Sequence, residues 1–182
     1  MVKIGIVLGS IREGRLGEQV AAWALEQART RGNAEYSLVD VKSFDLPFVT
    51  DPVPSAMKNK QYGDERVQRW SDTIDALDGY VFVTPEYDHG VPGAFKNAID
   101  HLSPEFFGKA IGFVGYSGDG AIRATEQWRT IVALWGMRVV APEVHLTFFT
   151  DVKDMREFAP AGFRTGELAK VLDAVVAAAS ER

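Results

Sequence analysis

A chain of 182 residues with net charge −5 and no cysteine is read as one compact domain, 1–182, without disulfides, thiolate nucleophiles or thiolate metal sites. The acidic balance, with both signs interspersed, argues against nucleic acid as a partner, because a phosphate backbone calls for a basic face. No apolar run approaches the ~20 residues of a membrane helix, and Met1-Val2-Lys3-Ile4-Gly5 enters a strand pattern with no charged leader or cleavage site, so a cytoplasmic protein with no membrane partner is expected.

In chain order, Val2–Leu8 is a nearly continuous apolar run, followed by a helical stripe of Val20, Ala24 and Ala28. Glu35–Val41 reads as a second strand. The stretch 42–60, with Pro47, Pro52 and Pro54, is a long loop of the kind that tends to be functional or interface-forming. Val67, Trp70, Ile74 and Leu77 step by three and four, then Tyr80–Thr84 is a third short apolar strand. Phe95, Ile99 and Leu102 form the next helical stripe, and Ala110–Tyr116 the fourth strand. Trp128, Ile131, Val132 and Trp135 mark another helix. Arg138–Val140, with Val144 and Leu146 beyond Pro142, makes a last strand, and Leu168, Leu172, Val175, Val176 and Ala179 a terminal helix. Strands this short and apolar on both faces suit a parallel sheet covered by helices on both sides. Right-handed crossovers and five strands favour the order 2-1-3-4-5, which brings the loops after strands one, three and four into one site.

The first of these loops, Gly9-Ser10-Ile11-Arg12-Glu13-Gly14-Arg15-Leu16-Gly17, combines a helix N-terminus, a hydroxyl and two guanidiniums, the ingredients of a phosphate cradle. Gly9 and Gly14 have nucleotide-triphosphate-loop spacing, but Arg15 replaces the lysine and Leu16 the magnesium-binding hydroxyl. A dinucleotide fingerprint fails at Ile11. What remains suits a terminal monophosphate without metal. The second loop, Thr84 to Gly93, offers Pro85 for the turn, Tyr87 as a flat surface, and Glu86, Asp88 and the backbone as hydrogen-bonding groups, a bed for a planar heterocycle with polar edges. Glu86, Asp88 and His89 have no recognised metal-ligand spacing, so no metal is expected. The third, Gly115-Tyr116-Ser117-Gly118-Asp119-Gly120, nearly matches a nucleophile elbow, with His145 and Asp151 as conceivable partners. Asp119 stands where the elbow's second glycine belongs, and a glycine-rich ligand wall is the simpler reading.

The motif Gly9-Ser10-x-Arg12, the run Pro85 to Asp100 (PEYDHGVPGAFKNAID) and the turn Ser117-Gly118-x-Gly120 resemble the NADPH-dependent FMN reductase family, flavodoxin-like quinone, azo-dye and chromate reductases. The resemblance spans the chain in order. It implies a flavodoxin-like three-layer sandwich, an FMN cofactor, NADPH or NADH as donor, a small-molecule acceptor, and a homodimer or homotetramer. It assigns the phosphate to Ser10, Arg12 and the turn Arg15, Leu16, Gly17 and Glu18. Pro85, Glu86, Tyr87, Asp88 and His89 would line the flavin ring, with Ser117, Gly118 and Gly120 closing its other side. The helix with Lys96, Asn97 and Asp100 would lie at the dimer interface. This sequence departs from the family at Asp88 (usually Asn), Gly90 (commonly Ser or Thr) and Gly17 (Asn in some members). An Asp88 facing the flavin would oppose the anionic reduced ring. No protein nucleophile or base is then needed, and a two-electron ping-pong reductase is expected. The alternatives are a flavodoxin-type electron carrier with no substrate site and a serine hydrolase.

Overall fold

A computed structural model describes residues 1–181. The elements run β1 (Lys3–Leu8), α1 (Gly17–Arg29), β2 (Glu35–Asp40), α2 (Glu65–Asp75), β3 (Gly79–Pro85), α3 (Gly93–Asp100), β4 (Ala110–Ser117), α4 (Ile122–Val132), β5 (Arg138–Thr147), a single helical turn α5 (Phe148–Asp151), β6 (Val152–Lys153), β7 (Glu157–Phe158) and α6 (Arg164–Ser180). The main sheet is parallel in the order β2-β1-β3-β4-β5, as the apolar runs and crossovers require. It is a flavodoxin-like fold.

Side chains alternate across the strands, and each face buries its own core. Ile4, Ile6, Leu8, Val81 and Val83 pack with α1 and α6. Val7, Tyr80 and Phe82 pack with Trp70 and Ile74 of α2, Phe95 and Ile99 of α3, and Trp128 of α4. Phe82, Phe95 and Trp128 meet in an aromatic knot with centroids 4.7–5.5 Å apart. The Trp and Leu stripes of the sequence are thus core faces, which sets the two helical layers and leaves the C-terminal strand ends open between them.

The last strand forms as the sequence suggests, and the segment after it is new. Pro142 does not break the last strand: β5 runs through it, with a register shift opposite Gly112. An edge strand tolerates this because its outer N–H positions have no partner. After β5, the chain makes an unforeseen antiparallel hairpin, β6–β7, before α6. Its base is Asp151, fully buried, which accepts hydrogen bonds from the N–H groups of Thr147 (2.9 Å) and Ala161 (3.1 Å) and from Arg164 (3.0 Å).

The long loop is fastened to α3. The amide of Asn97 donates to Pro47 O (2.8 Å) and accepts from Val49 N–H (3.0 Å), and His101 Nε2 lies 2.8 Å from Pro47 O. Lys96 and Asp100 pair with each other on the helix's half-exposed side.

Candidate functional site

The loops after β1, β3 and β4 meet over one cavity of about 570 Å³, at the topological switch point of the sheet. A larger hollow, about 820 Å³, lies under the 42–60 loop, away from those strand ends.

The first loop is organised by Arg15, which the fold nearly buries. Its Nε and Nη2 reach Glu18 (3.0 and 2.9 Å) and its Nη1 and Nη2 grip the Asp40 carboxylate (2.9 and 2.6 Å). Another donor goes to the Ser10 carbonyl. Four of the guanidinium's five N–H groups are hydrogen-bonded within the protein and the fifth lies against Glu18, so Arg15 is committed to the loop. The expectation that Arg15 holds a phosphate is therefore corrected: it shapes the loop by fastening β1's exit to the end of β2. Arg12 is different. Its guanidinium lies 5.5 Å from the Tyr87 ring centroid and has no carboxylate partner among the described residues. Ser10 Oγ is 2.8 Å from Tyr87 Oη, joining loops one and two.

At the head of α1, Gly17 allows a close approach. A Cβ there would overlap the hydroxyl of Tyr116. That phenol is 4 % exposed and its oxygen makes no well-formed hydrogen bond, the Ser10 hydroxyl beside it being bonded to Tyr87. Burial pushes its pKa up. Sequence reading missed Tyr116, because a tyrosine inside an apolar strand looks like core. Glu18 and Gln19 N–H turn back to the Arg15 and Leu16 carbonyls (3.4 and 3.0 Å), so the buried hydroxyl, together with the positive end of α1, is what an anion here would engage.

The second loop folds back on itself. Tyr87 and Gly90 exchange backbone hydrogen bonds (3.0 and 2.9 Å) around Asp88 and His89, whose φ values are 49° and 63°. Two successive positive φ values define a type I′ turn, in which Asn and Asp are among the favoured residues. Asp88 thus meets the backbone demand of its position, and it and His89 are exposed at the tip. Gln127 of α4 braces the turn, accepting from Val91 N–H (3.1 Å) and donating to His89 O (2.9 Å). Nothing in the sequence pattern singled it out.

The carboxylate of Glu86 is taken up by α4 rather than left free for a ring. Only 5 % exposed, it accepts from the N–H groups of Arg123 (3.0 Å) and Ala124 (3.2 Å) and pairs with the Arg123 guanidinium (3.1 Å). It caps α4 from another loop, because residue 121 is an alanine with no capping side chain. Only the backbone of Glu86 is left for a ligand. Glu86, Asp88 and His89 do not converge, and the described residues hold no group of three or more metal-ligating side chains.

In the third loop, Ser117 Oγ accepts from Asp119 N–H (3.1 Å) and Ala121 N–H (2.7 Å). Gly120 has φ 75°, and a Cβ there would press on His145. His145 Nδ1 lies 2.9 Å from Gly120 O and Nε2 lies 2.8 Å from Glu143. Both partners are acceptors, so the ring carries both protons when both bonds form. The Glu143 hydrogen bond raises the His145 pKa, against burial. Ser117, His145 and Asp151 therefore form no relay: the histidine serves the loop backbone and the aspartate serves Arg164. The hydrolase alternative lacks its triad.

Over the cavity stand Phe148, Met155 and Arg156, from the segment after β5. Sequence reading gave this segment no role.

A model of the NADPH-dependent FMN reductase family matches residues 2–151. The chain belongs to that family. As a family member it is an oxidoreductase built for FMN with NAD(P)H as donor. It is 35% identical over 153 residues to the NAD(P)H-dependent FMN reductase ntnL of Nectria sp, covering 81% of this chain and 76% of that protein. It is 34% identical over 149 residues to the NAD(P)H-dependent FMN reductase C4B3.06c of Schizosaccharomyces pombe, covering 82% and 74%. Among solved structures, FerB, a flavoenzyme NAD(P)H:(acceptor) oxidoreductase of Paracoccus denitrificans, superposes with TM-score 0.75 at 23% identity, over 96% of this chain and 97% of that one. Among the described residues of this family member, no helix is long and apolar enough to cross a membrane.

Proposed function

We propose that this chain, acting as one domain over 1–182, is an NAD(P)H-dependent FMN reductase that reduces quinones, flavins or similar flat acceptors by two electrons in ping-pong fashion, as a cytoplasmic homodimer or homotetramer. The observation that carries the reading is a pair of adjoining recesses. The polar one lies among the three loops. Beside it, sharing Glu13 at the rim, is a groove of about 630 Å³ walled by Ile11, Val41, Leu46, Phe48 and Ala94. An electron carrier needs only the first; a reductase needs room for a second flat molecule.

The residues of the polar recess fit FMN. Arg12, Ser10, the Tyr116 hydroxyl and the backbone of Leu16, Gly17 and Glu18 suit the phosphate. Pro85, Tyr87 and the backbone of Glu86, Asp88 and His89 suit one side of the ring, and Ser117, Gly118 and Gly120 the other. FMN, when bound, supplies the hydride acceptance and donation. The chain's own work is to bind, orient and exclude water, consistent with side chains fully engaged in bracing the loops. The Lys96–Asp100 side of α3 is the surface proposed for association.

Anaerobic spectroscopy tests the reading. The protein should take up about one FMN per chain, lose the flavin's visible absorbance on adding NAD(P)H, and give parallel double-reciprocal lines with menadione. No fluorescence quenching of FMN up to about 100 μM, an affinity weaker than roughly −5.5 kcal/mol, overturns it.

A further inference from the structure

We propose that Arg156, on the β6–β7 hairpin beyond the stretch that matches the family, is a second phosphate-binding guanidinium that grips the flavin nucleotide's phosphate together with Arg12. The proposal rests on the reading of the polar recess as the FMN site.

The hairpin is built to present this residue. Asp154 and Met155 both have positive φ (49° and 55°), and Arg156 N–H closes the turn on Lys153 O at 3.0 Å. Neither residue is glycine, and a methionine held in the left-handed region is strained, a state that persists only where the surroundings impose it and that clusters at binding sites. The imposing surroundings are on α1. Gln19, in its first turn, donates from Nε2 to Arg156 O (2.8 Å) and accepts at Oε1 from Phe158 N–H (2.9 Å). Trp23 meets the Phe158 ring edge-on, with centroids 5.5 Å apart. The helix whose N-terminus opens into the recess therefore also holds the hairpin that carries Arg156.

The charges around the recess point the same way. Glu18 and Asp40 are paired with Arg15, Glu13 with Lys42 (2.7 Å), and Glu86 with Arg123. Arg12 and Arg156 both line the recess, and neither has a carboxylate partner among the described residues. Asp154 and Glu157, beside Arg156 in the hairpin, are not among its lining residues. Two guanidiniums without carboxylate partners, the positive end of α1 and the buried Tyr116 hydroxyl match a phosphate monoester of charge about −2. Arg15, which the sequence motif would put in this role, is committed to Ser10, Glu18 and Asp40, so the hairpin supplies the second cation from elsewhere in the chain.

The test is a set of fluorescence-quenching titrations of FMN and riboflavin into the full-length chain freed of flavin, with thermal melts alongside. Arg156→Ala should weaken FMN about tenfold or more and leave riboflavin and the melting temperature unchanged. Arg156→Lys should recover part of the loss, since it keeps the charge but not the fork. An Arg12→Ala/Arg156→Ala double variant should lose more than either single one. Wild-type affinity for FMN in Arg156→Ala, or equal losses for both flavins, overturns the proposal while leaving the FMN reading intact. A wild type that binds neither flavin overturns both.

Discussion

The loops after β3 and β4 are held by side chains from other elements: Gln127 of α4 braces one and His145 of β5 the other, while Glu86 reaches from the first to cap α4. The loop after β1 is held chiefly by its own Arg15 and leaves Arg12 unpaired. The ligand parts assigned to each differ in the same sense. A flat, largely neutral ring needs rigid walls, so the polar side chains there can be satisfied by the protein. A phosphate needs charge that the protein has not already neutralised. The division predicts that scaffold residues and ligand residues in neighbouring loops will respond differently to substitution.

The largest effect is expected at Arg15. Its removal leaves the partly buried Asp40 carboxylate and the Ser10 carbonyl without their shared donor, while the exposed Glu18 turns to water, a loss of about 2–3 kcal/mol. Urea unfolding of Arg15→Ala should show this loss, and affinities for FMN and riboflavin should fall together because the whole loop shifts. A variant that keeps its stability and loses only FMN would put Arg15 back among the phosphate ligands. Next is Glu86→Ala, which uncaps α4 and unpairs Arg123, at about 2 kcal/mol. Calorimetry should record a lower melting temperature; an unchanged one would mean that the loop's braces are redundant.

The smallest effect is on pH dependence. Glu143's pKa is lowered from 4.5: burial works against the shift, but hydrogen bonds from His145 and Arg129 outweigh it. Its contribution is therefore present above 4.5 and lost as pH falls through the depressed value. The pKa of His145 is raised above 6.5, so its contribution is fully present below 6.5 and lost as pH rises through the raised value. The tie to Gly120 should be strongest between these limits and weaken toward pH 8.5. The unfolding free energy of wild type relative to His145→Gln should fall as pH rises from 6 to 8.5. A flat difference would mean that the ring stays neutral and braces nothing.

The sheet, its order and the three ligand loops are legible in the sequence because buried parallel strands write themselves as short apolar runs, and the switch point follows from strand order. The aim of individual charged side chains is not. Arg15 and Asp40 are 25 residues apart and meet only because β2 lies beside β1. Glu86 has the composition of a ligand-facing residue, and only the start of α4 at Ile122 reveals its partner. The β6–β7 hairpin left no trace because Asp154-Met155 has none of the Asn-Gly or Gly chemistry that signals such a turn. Tyr116 was hidden by its apolar neighbours, since its role depends on a missing hydrogen bond.

Pro142 has a further consequence at the sheet's outer boundary. A parallel sheet that ends on an open strand invites a foreign strand to add, which leads toward aggregation. On β5, three residues from Val140 to Pro142 stand against the single Gly112, and the proline offers no N–H to an incoming chain. The same irregularity interrupts the template this strand would present in concentrated solution.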